Sequence, residues 1–164
     1  MAEKLGLAEA RKIVDAMLDA ATERGLKFAA AVVDAGGDLI HLSRMNGASA
    51  LNARMSYNKA YTATKWQRDT KAIQDRLFSM TLGENRREIA WFCDPLYTPV
   101  WGGIVLWSSD GTMLGAIGES GGTPAQDEEI GQIGAALFKT LPPVPWRDEA
   151  VDYAVRHHDI ISRF

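Results

Sequence analysis

The sequence predicts an α+β domain in which helices pack against one antiparallel sheet. Two pairs of short apolar segments, each joined by a turn that contains glycine, predict β-hairpins at 28–45 and 104–118. Segments with apolar residues at helical spacing lie before, between and after these hairpins. Because hairpin strands pair antiparallel, one antiparallel sheet flanked by helices is the simplest way to bury the apolar faces.

The individual elements follow from local signals along the chain. Gly25 ends the first helix, and the helix after the first hairpin is rich in small residues that allow close approach to a sheet. Thr123, Pro124 and Gln126 mark a helix start, with threonine at the N-cap and glutamine completing a capping box. The predicted helices are Leu7–Arg24, Ala48–Trp66, Thr70–Met80, Glu84–Phe92, Pro124–Lys139 and Arg147–Ile161. The predicted strands are Phe28–Val33, Leu39–Met45, Ile104–Trp107 and Thr112–Gly118.

Composition and charge limit the classes of function. The chain has 164 residues, 46% of them hydrophobic, which suits one globular domain. Its formal net charge of −3 gives no footprint for nucleic acid, and no apolar run approaches the roughly 20 residues of a membrane span. Cys93 is the single cysteine, so neither an internal disulfide nor a cysteine-based zinc cluster is expected. The N-terminus lacks the apolar segment of a signal peptide, so we expect a cytoplasmic protein.

The segment Asp110–Glu128 carries the densest functional signal. A short apolar strand runs into a loop in which three glycines surround Glu119 and Ser120, and a helix start follows. A loop with few side chains that leads into a helix exposes main-chain amides, and this favours an anionic ligand. The same glycines also suit an ordinary tight turn. No lysine follows them as in a nucleotide-binding loop, and Glu119 would repel a phosphate.

Four segments together resemble the GlcG/HbpS-like family, which includes haem-binding proteins and the C-terminal domain of PduO-type adenosyltransferases. The segments are AVVDAGGDLIHLSRMNGA from Ala31, ARMSYNKAYTA from Ala53, WGGIVLWSSDGTMLGAIGESGG from Trp101 and AQDEEIGQIGA from Ala125. The resemblance implies a profilin-like three-layer α/β/α domain with a five-stranded antiparallel sheet, one strand more than the residues themselves predict. It also implies a homo-oligomer, with haem or a related tetrapyrrole as the candidate cofactor. We expect this domain to span 1–141, and 142–164 to be a C-terminal extension packed on it or on a neighbouring subunit.

The chain departs from the family pattern at three places. The usual GGIP sequence is present at Gly102–Val105 without its proline, and the usual GVSGG sequence has Glu119 in place of an aliphatic residue. The first helix has no histidine, whereas PduO-type domains bind haem through one there. The missing histidine weakens a simple transfer of haem binding, and Glu119 suggests a specialised polar ligand or reaction.

Glu119, Tyr61 and His41 are the candidate catalytic residues. Glu119 ends an apolar strand among glycines, where desolvation would suit a carboxyl to acid–base work; the alternatives are exposure to solvent or pairing with an arginine. The Tyr61 hydroxyl suits orienting or protonating a substrate oxygen, or it packs against the sheet with its hydroxyl satisfied. His41 is a base or metal ligand on its strand, or a structural residue.

The candidate ligand-binding residues are Lys59, Arg44, Ser120, Gly121, Gly122 and Trp101. Lys59 and Arg44 suit a ligand carboxylate, unless Lys59 pairs with an acid such as Asp34 and Arg44 is simply solvated. Trp101 belongs to an aromatic group that suits stacking on a flat ligand or burial of a subunit interface; the others are Trp91, Phe92, Tyr97 and Trp107.

No metal site is predicted. Glu84 and Glu88 lie one helical turn apart, where they could hold a metal ion, although a solvated helix face explains them better. His157 and His158 are adjacent on a helix, so their side chains point about 100° apart and do not chelate one ion, although one of them could reach a neighbouring subunit's pocket. Asp127 and Glu128 lie in the first turn of a helix, where acids interact favourably with the helix dipole.

Three functions remain open. The first is a small-ligand-binding accessory protein, with haem or a related tetrapyrrole as the ligand that the resemblance implies. The second is a small cofactor-independent enzyme, a hydratase, isomerase or hydrolase of a carboxylate or aromatic catabolite, with Glu119 as acid or base and Lys59 or Arg44 holding the carboxylate. The third is an oligomeric structural partner with no small-molecule ligand.

Overall fold

The fold confirms the predicted α+β class. The computed structural model describes residues 4–80 and 93–138. Its elements are α1 (Leu7–Glu23), β1 (Ala29–Asp34), β2 (Leu39–Arg44), α2 (Ala50–Trp66), α3 (Thr70–Met80), β3 (Gly103–Trp107), β4 (Met113–Ser120) and α4 (Pro124–Ala135). The predicted helices at 84–92 and 147–161, and the extension 142–164, lie outside the described residues.

The two predicted hairpins form one sheet. Its strand order is β2-β1-β4-β3, and every neighbouring pair is antiparallel. The central pair β1–β4 aligns Val32 with Ile117 and Ala30 with Glu119. Because residues directly opposite each other point to the same face, Glu119 shares a face with Ala30.

Helices cover both faces of the sheet. One core cluster joins α1 and α4 to alternate strand residues, among them Val32, Ile104 and Ile117. The second cluster joins α2, through Ala60 and Ala63, to the intervening residues of the strands. The described residues therefore form three layers, with α1 and α4 on one side and α2 on the other.

Two strand glycines allow α2 to lie against the sheet. A Cβ atom at Gly118 would lie 2.1 Å from the Ser56 carbonyl oxygen, and one at Gly103 would lie 2.4 Å from the Lys59 carbonyl oxygen. Since both neighbours are backbone atoms of α2, neither can move without moving the helix. This close packing places Lys59 at the end of the sheet where the candidate site lies.

The described sheet has four strands, whereas the family resemblance implied five. Side chains occupy the outer edge of β3: the Gly103 amide donates to Thr70 Oγ1 at 2.8 Å, and the Val105 amide donates to Asp69 Oδ1 at 2.9 Å. A further strand on that edge would have to displace both acceptors. Within the described residues, no helix is both long enough and apolar enough to span a membrane.

Candidate functional site

The side chain of Glu119 is completely buried. Glu119 is the next-to-last residue of β4, and its relative exposure is 0%. Neither carboxyl oxygen has a hydrogen-bond partner within residues 4–80 and 93–138. A buried polar group without a partner costs free energy, so this carboxyl is the feature of the fold that most requires an explanation.

Two glycines make room for this carboxyl group. A Cβ atom at Gly131 of α4 would lie 2.1 Å from Glu119 Oε1, and one at Gly102 would lie 2.9 Å from the same oxygen. Either substitution would press on the carboxyl, and the one at Gly131 would require it to move. We call Gly102 and Gly131 the glycine cradle of Glu119.

Burial disfavours the ionised form of Glu119. Desolvation is the largest influence and raises the pKa of Glu119 well above its usual range. The charge of Lys59 lowers this pKa, whereas Asp127, Glu128 and Asp69 raise it. Loss of water and an excess of nearby carboxylates outweigh the single lysine, so the neutral acid is the form that fits the site.

Lys59 of α2 forms a buried ion pair beside this acid. Its Nζ atom donates to Asp127 Oδ2 at 2.5 Å and to the Glu119 carbonyl oxygen at 2.7 Å. Lys59 is 1% exposed and Asp127 is 3% exposed. Burial raises the pKa of Asp127, whereas Lys59 and the Gly122 and Gly121 amides lower it. The pair ties the middle of α2 to the first turn of α4 across the end of β4.

The main-chain amides of the glycine loop bind groups of the chain itself. The Gly122 amide donates to Asp127 Oδ1 at 2.9 Å, and the Thr123 amide donates to Gln126 Oε1 at 2.9 Å. The second bond belongs to the capping box that the sequence predicted at the start of α4. These two amides, which the sequence suggested for an anion, are therefore already engaged.

Asp69 and Glu128 add two more carboxyl groups. Asp69 accepts the amide of Val105, yet desolvation raises its pKa to about 6, with a further contribution from Glu128. Glu128 Oε1 accepts from Gln132 at 3.0 Å, and its Oε2 is buried without a partner among the described residues. Glu119, Asp127, Glu128 and Asp69 together form what we call the carboxyl cluster.

Four further candidates remain, three of them directly after Glu119 in the chain. Ser120 ends β4, and Gly121 adopts a φ of 156° with the Lys27 carbonyl oxygen 2.4 Å from where a Cβ would be, which suits glycine alone. Gly122 is exposed. Trp101 is half-buried, and Lys71 Nζ lies 4.7 Å from the centre of its ring.

His41 and Arg44 lie on another part of the molecule, the edge strand β2. His41 is half-buried, and its Nε2 lies 3.1 Å from Ser43 Oγ. Arg44 is exposed and donates from Nη1 to the Ala48 carbonyl oxygen at 2.8 Å. These contacts do not connect either residue with Glu119.

Tyr61 also lies apart from Glu119. Its hydroxyl donates to Asp94 Oδ2 at 2.9 Å, and burial together with Asp94 raises the pKa of Tyr61 to about 12. Its ring lies 6.0 Å from that of Tyr57 and 5.9 Å from that of Tyr97. Trp91 and Phe92, which the sequence grouped with Tyr97, lie outside the described residues.

The sequence matches the family model described as "Haem degrading protein HbpS-like" over residues 5–136. The chain belongs to the HbpS-like family. This confirms the resemblance drawn from the four sequence segments.

Two relatives align with this HbpS-like protein over most of their own length. This chain is 30% identical over 141 residues to an uncharacterized 15.0 kDa protein of the dhaT-dhaS intergenic region of Citrobacter freundii, and the alignment covers 82% of this chain and 92% of that one. It is 34% identical over 111 residues to protein GlcG of Escherichia coli K12, covering 68% of this chain and 77% of GlcG.

Solved structures share the fold. Protein ORFY of Klebsiella pneumoniae matches with a TM-score of 0.74 and 27% identity, covering 84% of this chain and 92% of that one. The PduOC:Heme complex matches with a TM-score of 0.73 and 24% identity, covering 84% of this chain and 96% of that one. At that identity the second comparison supports the fold alone.

Sequence reasoning missed several members of the site in this HbpS-like protein. It explained Asp127 by the helix dipole, but Asp127 shares one buried face of α4 with Ile130, Gly131 and Gly134, at helical spacing. The helical spacing of this buried face was the sequence signal that could have identified Asp127 as a buried residue. Asp69 and the glycine cradle approach Glu119 only through tertiary packing, and no local pattern marks them.

Proposed function

We propose that this HbpS-like protein is a small-ligand-binding accessory protein whose ligand is haem or a related tetrapyrrole. The observation that carries this proposal is the family match over residues 5–136, which includes all eight described elements from end to end. The described residues also include a histidine, His41, whose imidazole is a side chain of the kind that binds haem iron, and it lies on β2 away from Glu119.

The carboxyl cluster itself does not suit haem. Haem iron is held in proteins by histidine, cysteine, methionine or tyrosine, and none of these side chains belongs to the cluster. Haem also carries two propionates, which the cluster's carboxyl groups would repel. The tetrapyrrole is therefore assigned to a different part of the molecule.

His41 is the residue that would hold the iron. It is the one histidine of the sequence that falls within the described residues, and its imidazole is only half-buried. Arg44 lies three residues further along the same strand, so its side chain points to the opposite face of the sheet from His41 and is left out of the haem assignment. When bound, haem supplies an iron centre for redox or oxygen chemistry, and the role of the protein is to bind and orient it.

A titration with haemin tests the proposal. The wild-type protein is expected to give a saturable, stoichiometric shift of the Soret band, and His41→Ala is expected to lose it. Ser43→Ala is the matched control, because it removes the hydroxyl beside Nε2 and keeps the imidazole. An absence of saturable binding in the wild type, or undiminished binding in His41→Ala, would refute the assignment.

One observation favours a second function, acid–base catalysis by Glu119. A buried carboxyl whose pKa is raised by desolvation is suited to donate a proton to a substrate. Lys59 already binds Asp127 and the Glu119 carbonyl oxygen, which leaves one N–H for a substrate carboxylate. If a panel of carboxylic and aromatic substrates yields turnover, Glu119→Gln should abolish it and the α4 surface variant Glu129→Gln should not. Equal turnover in both variants would eliminate this function.

A further inference from the structure

Lys59 and Asp127 bring an amine and a carboxyl group into contact at a place that excludes water. The Lys59 Nζ atom lies 2.5 Å from Asp127 Oδ2, and the relative exposures of the two residues are 1% and 3%. A buried ion pair is costly because both charges lose their hydration. If the same two groups were joined as an amide, the site would hold no net or separated charge.

The hydrogen bonds around this pair are those that an amide would make. The Gly122 amide donates to Asp127 Oδ1 at 2.9 Å, and Lys59 Nζ donates to the Glu119 carbonyl oxygen at 2.7 Å. In an amide between the two side chains, Oδ1 would be the carbonyl oxygen and would keep the first bond. The amide N–H would keep the second bond, and Oδ2 would be the oxygen that leaves.

The Glu119 carboxyl group lies beside the pair. The position that a Cβ atom of Gly102 would take is 2.9 Å from Glu119 Oε1 and 3.0 Å from Asp127 Cβ, so the two acidic side chains border the same point. Both carboxyl oxygens of Glu119 lack a hydrogen-bond partner within residues 4–80 and 93–138. Desolvation also raises the pKa of Glu119, which favours its acid form. An unengaged acid next to an amine and a carboxyl group is suited to carry protons between them.

We propose that Lys59 and Asp127 join after folding in an intramolecular isopeptide bond between Nζ and Cγ, with Glu119 as the proton carrier. The fold supplies the three requirements of this condensation. The reacting groups are in contact, water is excluded from them, and an acid lies next to them.

The reaction balances without any co-reactant. A proton passes from Lys59 Nζ to Asp127 Oδ2, and the Nζ lone pair then attacks Cγ. The Gly122 amide stabilises the negative charge that develops on Oδ1. The Glu119 carboxylic acid protonates the departing Oδ2 and recovers a proton from Nζ. The Cγ–Oδ2 bond breaks, one water molecule leaves, one positive and one negative charge disappear, and Glu119 is unchanged.

A second lysine–aspartate pair shows why the reaction is assigned to this site. Lys71 Nζ lies 3.1 Å from Asp75 Oδ2, but these side chains are 43% and 55% exposed. Both charges of that pair stay hydrated, so the ion pair is favoured there over the amide. The bond from Lys59 to Asp127, in contrast, joins α2 to α4 across 68 residues of chain and would restrict the unfolded state.

The inference is independent of the haem assignment, because it uses no residue of β2. It is tested by intact-mass spectrometry of the purified full chain under denaturing conditions. The wild type is expected to be lighter than the mass calculated from its sequence by one water molecule. A proteolytic digest is expected to contain one branched peptide that joins Lys59 to Asp127, and the peptides with Lys71 and Asp75 are expected to be unmodified.

Variants connect the bond to the three side chains. Lys59→Arg keeps the positive charge and is expected to have its full calculated mass. Glu119→Gln keeps the shape of the side chain and is expected to form the bond roughly a hundredfold more slowly. Glu129→Gln is the matched control on α4, because the Glu129 side chain is 59% exposed and pairs with Arg24, and it should lose water as the wild type does. Circular dichroism confirms that each variant is folded.

Three results would overturn the proposal. The first is a folded wild-type protein with its full calculated mass, and this result does not depend on the folding of any variant. The second is a loss of water without a branched peptide, as cyclisation of Asp110 onto the Gly111 amide would give. The third is a Glu119→Gln variant that forms the bond as fast as the wild type.

Discussion

At the scale of single residues, the fold retains a carboxyl group where an apolar side chain would cost less. Glu119 has no exposed surface, and both its Oε1 atom and Ile104 Cδ1 border the position that a Cβ of Gly131 would take. A buried ionised carboxylate costs several kcal/mol more than a neutral one, so the site is compatible with Glu119 mainly as the neutral acid. The glycine cradle shows that this placement is built into the backbone on two sides.

The cradle predicts that Gly131 and Glu119 are energetically coupled. Alanine ordinarily favours a helix over glycine by about 1 kcal/mol, but here the new Cβ would lie 2.1 Å from Glu119 Oε1. We expect Gly131→Ala to destabilise the wild type by about 1–3 kcal/mol, measured by chemical denaturation. In a Glu119→Ala background this cost should fall sharply.

Gly134→Ala provides the control for that cycle. A Cβ at Gly134 would meet the Met17 sulfur at 2.6 Å and not Glu119, so its cost should be the same in both backgrounds. A Gly131→Ala cost that is unchanged in the Glu119→Ala background would contradict the cradle.

Lys59 and Lys71 offer a matched comparison of a buried and an exposed ion pair. Lys59 and Asp127 are nearly inaccessible, whereas the side chains of Lys71 and Asp75 are 43% and 55% exposed. Lys59→Met leaves a buried carboxylate unpaired and should cost about 3–5 kcal/mol of unfolding free energy. Lys71→Met should cost less than about 1 kcal/mol. Equal costs would show that Asp127 does not depend on Lys59.

At the scale of elements, the contact of α2 with the sheet positions the site. Gly118 lets the Ser56 carbonyl approach the strand, and the same close contact brings Lys59 to the end of β4. Any side chain at Gly118 would separate the two layers.

Gly118→Ala is therefore expected to destabilise the protein by more than about 2 kcal/mol, because the clash is with backbone and cannot relax locally. Gly36→Ala is the control: Gly36 is exposed, has no positive φ, and its nearest neighbour is the Asp34 side chain at 3.1 Å. Thermal denaturation of both variants measures the difference. Similar midpoints would mean that α2 can shift away from the sheet at little cost.

Elements with strong local signals were predictable from the sequence. Residues 70–80 were predicted and found as a helix, and the capping box at Thr123 set the start of α4 correctly. The predicted end of α4 at Lys139 was too late, because the helix ends at Ala135. Local patterns define where a helix begins better than where it frays.

The candidate site was predictable only in part. A glutamate at the end of an apolar strand suggested desolvation, and the structure buries it fully. The sequence offered Asp34 as a partner for Lys59, but the Asp34 carboxylate accepts the Gly36 and Asp38 amides of the hairpin turn. Pairing of Lys59 with Asp127 spans 68 residues and depends on how α2 and α4 meet, which no local pattern encodes.

At the scale of the whole molecule, the surface retains several large apolar side chains. Leu7, Leu39, Leu51 and Leu137 are each between 48% and 62% exposed. We propose that they contribute to self-association, as the family resemblance suggested. Light scattering coupled to size exclusion should then give a mass that is a multiple of 18.0 kDa. A mass of one chain at micromolar and higher concentrations would contradict it.

The free energy of unfolding of the whole molecule should also depend on pH because of the buried Glu119. The folded state raises the pKa of Glu119, whereas the unfolded chain has an ordinary value of about 4.3. Below that value both states hold the proton, and Glu119 adds no pH dependence. As the pH rises above it, the unfolded chain releases the proton and the native protein does not, so stability falls.

The most direct test is the free energy of unfolding of the wild type and of Glu119→Gln, measured by chemical denaturation from acidic to slightly alkaline pH. Shifts at Asp69 and Asp127 act in both proteins and cancel to first order in the difference. The account predicts that the free energy of unfolding of Glu119→Gln increases relative to that of the wild type as the pH rises. The increase is up to about 1.4 kcal/mol per pH unit above the ordinary pKa of glutamate. Parallel curves across that range would mean that Glu119 ionises as freely in the folded protein as in water, and would contradict the account.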